Sequence, residues 1–201
     1  MSWDEDYSEI YRCPCGQGHY KITHRSDDWG QTEESCEMEC PRCNSIFGLY
    51  LFYSNRKGIA ETYFAWAPKP LLDHLAELRS RTKGEKEALA AYLKTRYKER
   101  WLQHFNSLTK KAIWKELEAG LDHSYALSTF YSHIRSSGLE SVLETYICYE
   151  KVETVIRVLK LRDDGIISRL ETIKDLEQEA KKKDHEIRER CYYSNSPISA
   201  N

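Results

Sequence analysis

The chain has 201 residues, 40% hydrophobic and 31% charged, with five Trp, fourteen Tyr and a formal net charge of −2. That is ample apolar material for a packed core, and the composition makes no case for disorder. No stretch approaches 18 uninterrupted apolar residues, and the opening MSWDEDYSEIYRC carries acids where a secretory signal needs a basic start, so the cytoplasm is the expected address and no membrane partner is expected. In that reducing compartment seven cysteines, an odd number, point to metal ligation rather than a disulfide framework.

After Cys13-Pro14-Cys15-Gly16, residues Tyr20 to Arg25 read as a strand, Ser26 to Gly30 as a turn and Thr32 to Glu39 as the returning strand. Cys40-Pro41-Arg42-Cys43 follows, then a β-type run from Ser45 to Tyr53 and a further strand from Ile59 to Trp66. Pro68-Lys69-Pro70 cannot continue a central strand, and Pro70 suits the first turn of a helix, so the module boundary is placed there. Beyond it the hydrophobic period changes to about 3.6. Leu71, Leu75, Leu78, Leu89, Leu93, Tyr97, Trp101, Phe105 and Leu108 mark one helical face, with Thr82-Lys83-Gly84 as a possible interruption. Shorter helices are expected at 109–119, 128–136 and 139–161, and a last one at 166–190. The expected fold class is α+β: a small antiparallel β module over 1–67, an all-α module over 68–161, a long C-terminal helix over 162–191 and a flexible tail over 192–201.

Two short cysteine knuckles separated by 24 residues, with a hairpin in the interval, suit a tetrahedral four-thiolate site, so Cys13, Cys15, Cys40 and Cys43 are the expected ligands. C-P-x-C is the stronger half; the one-residue spacer in C-P-C is shorter than usual. Residues 12–53 resemble the zinc-ribbon class, which implies a small β-rich fold and a structural Zn2+ ion rather than a particular activity. Four thiolates close the shell and leave no position for water or substrate. Iron in a rubredoxin-like centre is the alternative. Cys36, His19 and His24 are further candidate ligands, each read more simply as packed or surface side chains, and Cys148 and Cys191 read as spare thiols.

Charge is segregated along the chain. Residues 1–53 sum to −6, residues 79–115 to +8, residues 116–149 to −4, and the remainder from 150 onward balances. The stretch from Thr109 to Leu117 and the stretch from Leu127 to Arg135 together (unit 109–136) resemble a helix-turn-helix of resolvase or repressor type. The resemblance implies double-stranded DNA as a partner, with Lys110, Lys111 and Lys115 near phosphates and Thr129, Ser132, His133 and Arg135 facing base edges. The connection from Glu118 to Leu127 is longer than in ordinary units. A packed helical hairpin with Ile113, Leu117, Phe130 and Ile134 as core is the plainer alternative. The acidic ribbon would repel phosphate and is expected to engage a protein partner instead.

In the last helix Ile166, Leu170, Ile173, Ala180 and Ile187 suggest a coiled-coil seam and hence a homodimer, although Glu177 and Asp184 share the register. No phosphate-binding glycine loop, nucleophile motif or two-histidine metal helix is present, so no enzymatic activity is expected. The expected function is a DNA-binding regulatory protein with a structural zinc ribbon, its helical module on the duplex; the alternative is a protein-interaction adaptor with the same ribbon and no nucleic-acid binding.

Overall fold

The computed structural model describes residues 3–56, 59–118, 127–148, 151–193 and 198. It is an α+β chain, with a small antiparallel β region followed by helices. Three strands, β1 (Trp3–Arg12), β2 (His19–Asp27) and β3 (Thr32–Met38), form one antiparallel sheet in the order β1-β2-β3. A six-residue helix α1 (Pro41–Ile46) leads into a second antiparallel pair, β4 (Phe47–Arg56) and β5 (Ile59–Pro68). Five of the six remaining helices are α2 (Lys69–Phe105), α3 (Lys110–Glu118), α4 (Leu127–Ser137), α5 (Leu139–Thr145) and α6 (Val152–Leu159); α7 (Asp164–Arg190) closes the series.

The chain divides into two compact units, residues 1–77 with 180–201 and residues 78–179, so that α2 and α7 each supply residues to both. Within the first unit, one core gathers Cys13, Tyr20, Met38, Cys40, Cys43 and Trp66, and a second gathers Tyr50, Ala65, Ala67, Leu75 and Ile187. Register explains the division of β4: Tyr50 turns to the second core, while Leu49 and Leu51 take the opposite face and stay exposed. At the end of the chain Tyr192 bridges Trp66 through two 2.8 Å backbone bonds, and the Ile198 amide donates to the Ile10 carbonyl at 2.7 Å.

The second unit is built around Leu89, Leu93, Trp101, Phe105, Ile113, Leu117, Phe130, Leu143, Val155 and Ile166, all buried in one cluster. Gly84 does not interrupt α2. It is exposed with nothing near it, and the roughly 1 kcal/mol a helical glycine costs is small beside the burial of Leu89 and Leu93 one and two turns on. The 139–161 segment is two helices rather than one. α5 ends at Thr145, α6 starts at Val152, and Lys160 closes α6 in the left-handed region at φ 50°.

Asp163 stands immediately before α7 and accepts hydrogen bonds from the Tyr97 hydroxyl (2.9 Å), the Tyr92 hydroxyl (3.0 Å) and the Gly165 amide (2.9 Å), with Arg96 Nε 3.8 Å away. These contacts, the Tyr97 bond first, hold its carboxyl below the ordinary carboxylate value. A carboxyl whose pKa is lowered on folding contributes stability above its unfolded pKa of about 4, and that stability is lost as pH falls through the lower folded value. Asp163→Asn should therefore destabilise the helical unit at neutral pH and flatten its acid unfolding below about pH 4, as read by helical circular dichroism across a pH series.

Candidate functional site

The first knuckle is a tight loop. Gly16 adopts φ +72°, which a residue without a Cβ takes freely, and its amide bonds the Cys13 carbonyl at 2.9 Å. The Cys13 amide reaches the Gly18 carbonyl at 3.1 Å, and the Gly18 amide donates to Cys13 Sγ at 3.2 Å. This closure lets a one-residue spacer present both sulfurs to one point. The second knuckle is the start of α1: Cys40 is its N-cap, Pro41 fills the first helical position, and the Asn44 amide bonds the Cys40 carbonyl at 2.9 Å. The β2–β3 hairpin spans the interval between the two.

The four sulfurs converge. Sγ of Cys13 lies 3.4 Å from that of Cys15, Sγ of Cys15 lies 3.8 Å from that of Cys40, and all four of Cys13, Cys15, Cys40 and Cys43 fall within 4.8 Å of one another. A tetrahedron with Zn–S bonds of about 2.3 Å needs sulfurs about 3.8 Å apart, so this donor set fits a zinc ion with little adjustment. Cys13, Cys40 and Cys43 are buried and Cys15 is half-buried. The Gln17 backbone amide, followed by the Cys13 and Cys43 thiols, draws the Cys15 thiol down to about 6, whereas burial pushes Cys43 up to about 12. Unlike titration of neighbouring thiols is what close packing of groups that cannot all ionise produces. A bound cation removes that conflict, and metal uptake would expel protons.

Gly18 is a constraint the cysteine spacing does not reveal. A Cβ there would meet Cys40 Cβ at 2.8 Å, Cys40 Sγ at 3.1 Å and Cys13 Sγ at 3.5 Å. Gly18→Ala should accordingly weaken zinc binding by about ten- to a hundredfold, measured by competition with a chromogenic chelator. The signal was present in the sequence as Cys13-Pro14-Cys15-Gly16-Gln17-Gly18, where the second glycine has no role unless the chain passes against the sulfurs.

The other candidate ligands have different occupations. Cys36 sits opposite Ile22 on β3, packs half-buried against the metal-end core, and is pushed up to about 12 chiefly by burial. His19 pairs with Glu39 at 2.5 Å, and His24 lies 3.0 Å from Glu34 and 3.6 Å from Glu9. Cys148 is half-buried, and Cys191 Sγ donates to the Arg188 carbonyl at 3.3 Å.

In the helical unit, α3 and α4 pack through Ile113, Trp114, Leu117, Phe130 and Ile134, with the Trp114 and Phe130 rings 5.3 Å apart. Lys110, Lys111, Lys115, Ser132, His133 and Arg135 are exposed, and Thr129 is half-buried. The connection over 119–126 lies outside the described residues. α2 supplies eight bases to the positive 79–115 stretch, a basic waist, and several of them are engaged within their own unit. Lys86 pairs with Glu177 (2.7 Å), Lys98 with Glu144 (2.6 Å) and Arg96 with Asp163, while Arg100 donates to the Leu159 carbonyl at 3.2 Å. Ile166 and Ile173 of the supposed seam are buried in the helical core and Ile187 in the Tyr50 core, which leaves Ile167 as an exposed apolar side chain of α7. No helix among the described residues is long and apolar enough to cross a membrane.

The class these features define is an α+β chain with a small antiparallel β region carrying a four-cysteine site able to hold a metal ion. No protein-family model, curated protein or solved structure matches it.

Proposed function

We propose that this protein is an interaction adaptor built on a structural zinc ribbon, in which Cys13, Cys15, Cys40 and Cys43 hold the ion and the acidic β region recruits a protein partner. Zinc would supply four bonds to sulfur that tie the two knuckles together, and its filled shell leaves it no part in chemistry. The observation that carries the adaptor reading over a nucleic-acid one is the occupation of the basic waist. Phosphate affinity scales with the number of cations that can displace counterions, and Lys86, Arg96 and Lys98 are already paired with carboxylates of their own unit.

A second reading, contact with duplex DNA through α3 and α4, is favoured by one specific observation. Lys110, Lys111 and Lys115 are exposed and pair with no carboxylate among the described residues, and Ser132, His133 and Arg135 are exposed on α4 above the buried Phe130 and Ile134. One experiment separates the two. The full chain is titrated with labelled duplex at low salt, and its mass is measured by light scattering. The adaptor reading expects no saturable duplex binding; binding that the Lys110→Ala, Lys111→Ala, Lys115→Ala triple variant abolishes would replace it with the DNA reading.

A further inference from the structure

We infer that the end of the β1–β3 sheet remote from the cysteines docks a basic, extended segment of a partner protein, an inference that rests on the adaptor reading and names the chemistry of its partner. Two aromatic side chains stand in solvent there, Trp29 on a hydrogen-bonded turn and Tyr7 stacked on a neighbouring ring. Trp29 is 80% exposed at the tip of the β2–β3 turn. That turn is rigid: Asp27 Oδ1 accepts the Trp29 amide at 3.0 Å and the Gln31 amide at 2.7 Å, while the backbone bonds Asp27 N to Gln31 O and Gly30 N to Asp27 O are each 3.0 Å. Tyr7 is 57% exposed and stacks on His24 with ring centroids 4.3 Å apart. His24 is itself placed between Glu9 and Glu34 across the three strands. Exposed aromatic groups on a fixed backbone are the usual anchors of an interface, and the stacking on His24 spends part of the conformational entropy of Tyr7 in advance.

Charge selects the occupant. Residues facing each other across the ladder share a face, so Tyr7, Glu9 and Tyr11 lie with Ile22, His24 and Ser26 and with Thr32, Glu34 and Cys36. No Lys or Arg occupies any of these positions. Asp6 joins them through its 2.8 Å bond from the Ser26 hydroxyl, and Asp28 flanks Trp29 in the turn. The bases of β2 take the other face, where Arg25 is opposite Glu5 and Glu33 and Lys21 is opposite Glu37, with Lys21 also 3.2 Å from Glu5. On that face two bases stand among three carboxylates, whereas the Tyr7 face carries carboxylates and an aromatic ring with no Lys or Arg beside them. Guanidinium and ammonium groups are attracted to both. His24 and Asp27 are three residues apart on β2, roughly 10 Å, a distance that three or four residues of an extended peptide cover.

The test titrates fluorescein-labelled octa-arginine into the zinc-loaded full chain at two salt concentrations. Saturable binding is expected, weakened about three- to tenfold by Trp29→Ala and by Tyr7→Ala, and weakened with a shallower salt dependence by Glu9→Gln with Glu34→Gln. Glu33→Gln with Glu37→Gln, on the opposite face, should change affinity by less than about twofold. Unchanged zinc content and circular dichroism show that each variant is folded. Absence of saturable binding, equal loss from the opposite-face pair, or indifference to both aromatic substitutions would overturn the assignment. Those results would leave the adaptor reading standing, since its choice over the DNA reading is decided by the duplex titration described above.

Discussion

Cys43→Ser is expected to abolish stoichiometric zinc binding and to unfold the metal end of the β region while the helical unit persists. The physical reason lies in what else that end contains. Its core has six buried residues, and Cys13, Cys40 and Cys43 are three of them, so half of the buried set is ligand rather than ordinary apolar packing. Tyr20, Met38 and Trp66 alone bury too little to offset the ordering of about fifty residues at ~1–2 kcal/mol of backbone entropy each. Structural zinc supplies about 10–16 kcal/mol in small modules of this kind, and a serine hydroxyl in place of one thiolate forfeits most of it. The measurement is zinc content by mass spectrometry with near-ultraviolet circular dichroism, which reports the stacked Tyr11 and Tyr20 rings and the edge contact of Tyr20 with Trp66. Cys36→Ser makes the same chemical change on β3, outside the ligand set, and should retain the metal.

Trp101→Ala should be the most damaging single change in the helical unit, costing about 3–5 kcal/mol. The indole is fully buried, meets Phe105 edge-on at 4.8 Å between centroids, and donates from Nε1 to the Leu143 carbonyl at 2.8 Å. Removing it leaves a cavity and takes one of two donors from the Leu143 carbonyl, which keeps the Tyr146 amide at 3.2 Å. Trp101→Phe keeps most of the volume and loses the donor, so the difference between the two variants in urea unfolding apportions packing against hydrogen bonding. A cost below about 1 kcal/mol for the alanine variant would mean that Trp101 does not hold the core.

Much of this was legible in the sequence for identifiable reasons. The two cysteine pairs announced the metal site because thiolates at those spacings have few other uses, and the hairpin between them carried a turn-type Asp-Asp-Trp-Gly. The buried positions of α2, from Leu75 to Phe105, followed from the period of 3.6. What escaped did so because tertiary contacts overrode local preference. β1 is WDEDYSEIYR, whose four acids disfavour a strand, yet it pairs along β2 and stacks Tyr11 on Tyr20 and Tyr7 on His24. The break between α5 and α6 has neither Gly nor Pro to mark it, and the left-handed residue that ends α6 is Lys160. Gly84 looked like a stop and is not one. The apolar repeat of α7 has the spacing of a dimer seam, but spacing does not say whether Ile166, Ile173 and Ile187 face a second chain or the cores of their own.

The proposed function stands on four thiolates binding one structural zinc. It is tested most directly by metal analysis of the purified full chain together with X-ray absorption at the zinc edge. One zinc per chain with four sulfur neighbours at about 2.3 Å is expected, lost together with the β-region signal when a strong chelator is added. Iron in place of zinc, nitrogen or oxygen in the coordination shell, or a chain that keeps its near-ultraviolet signal with no metal bound would contradict it.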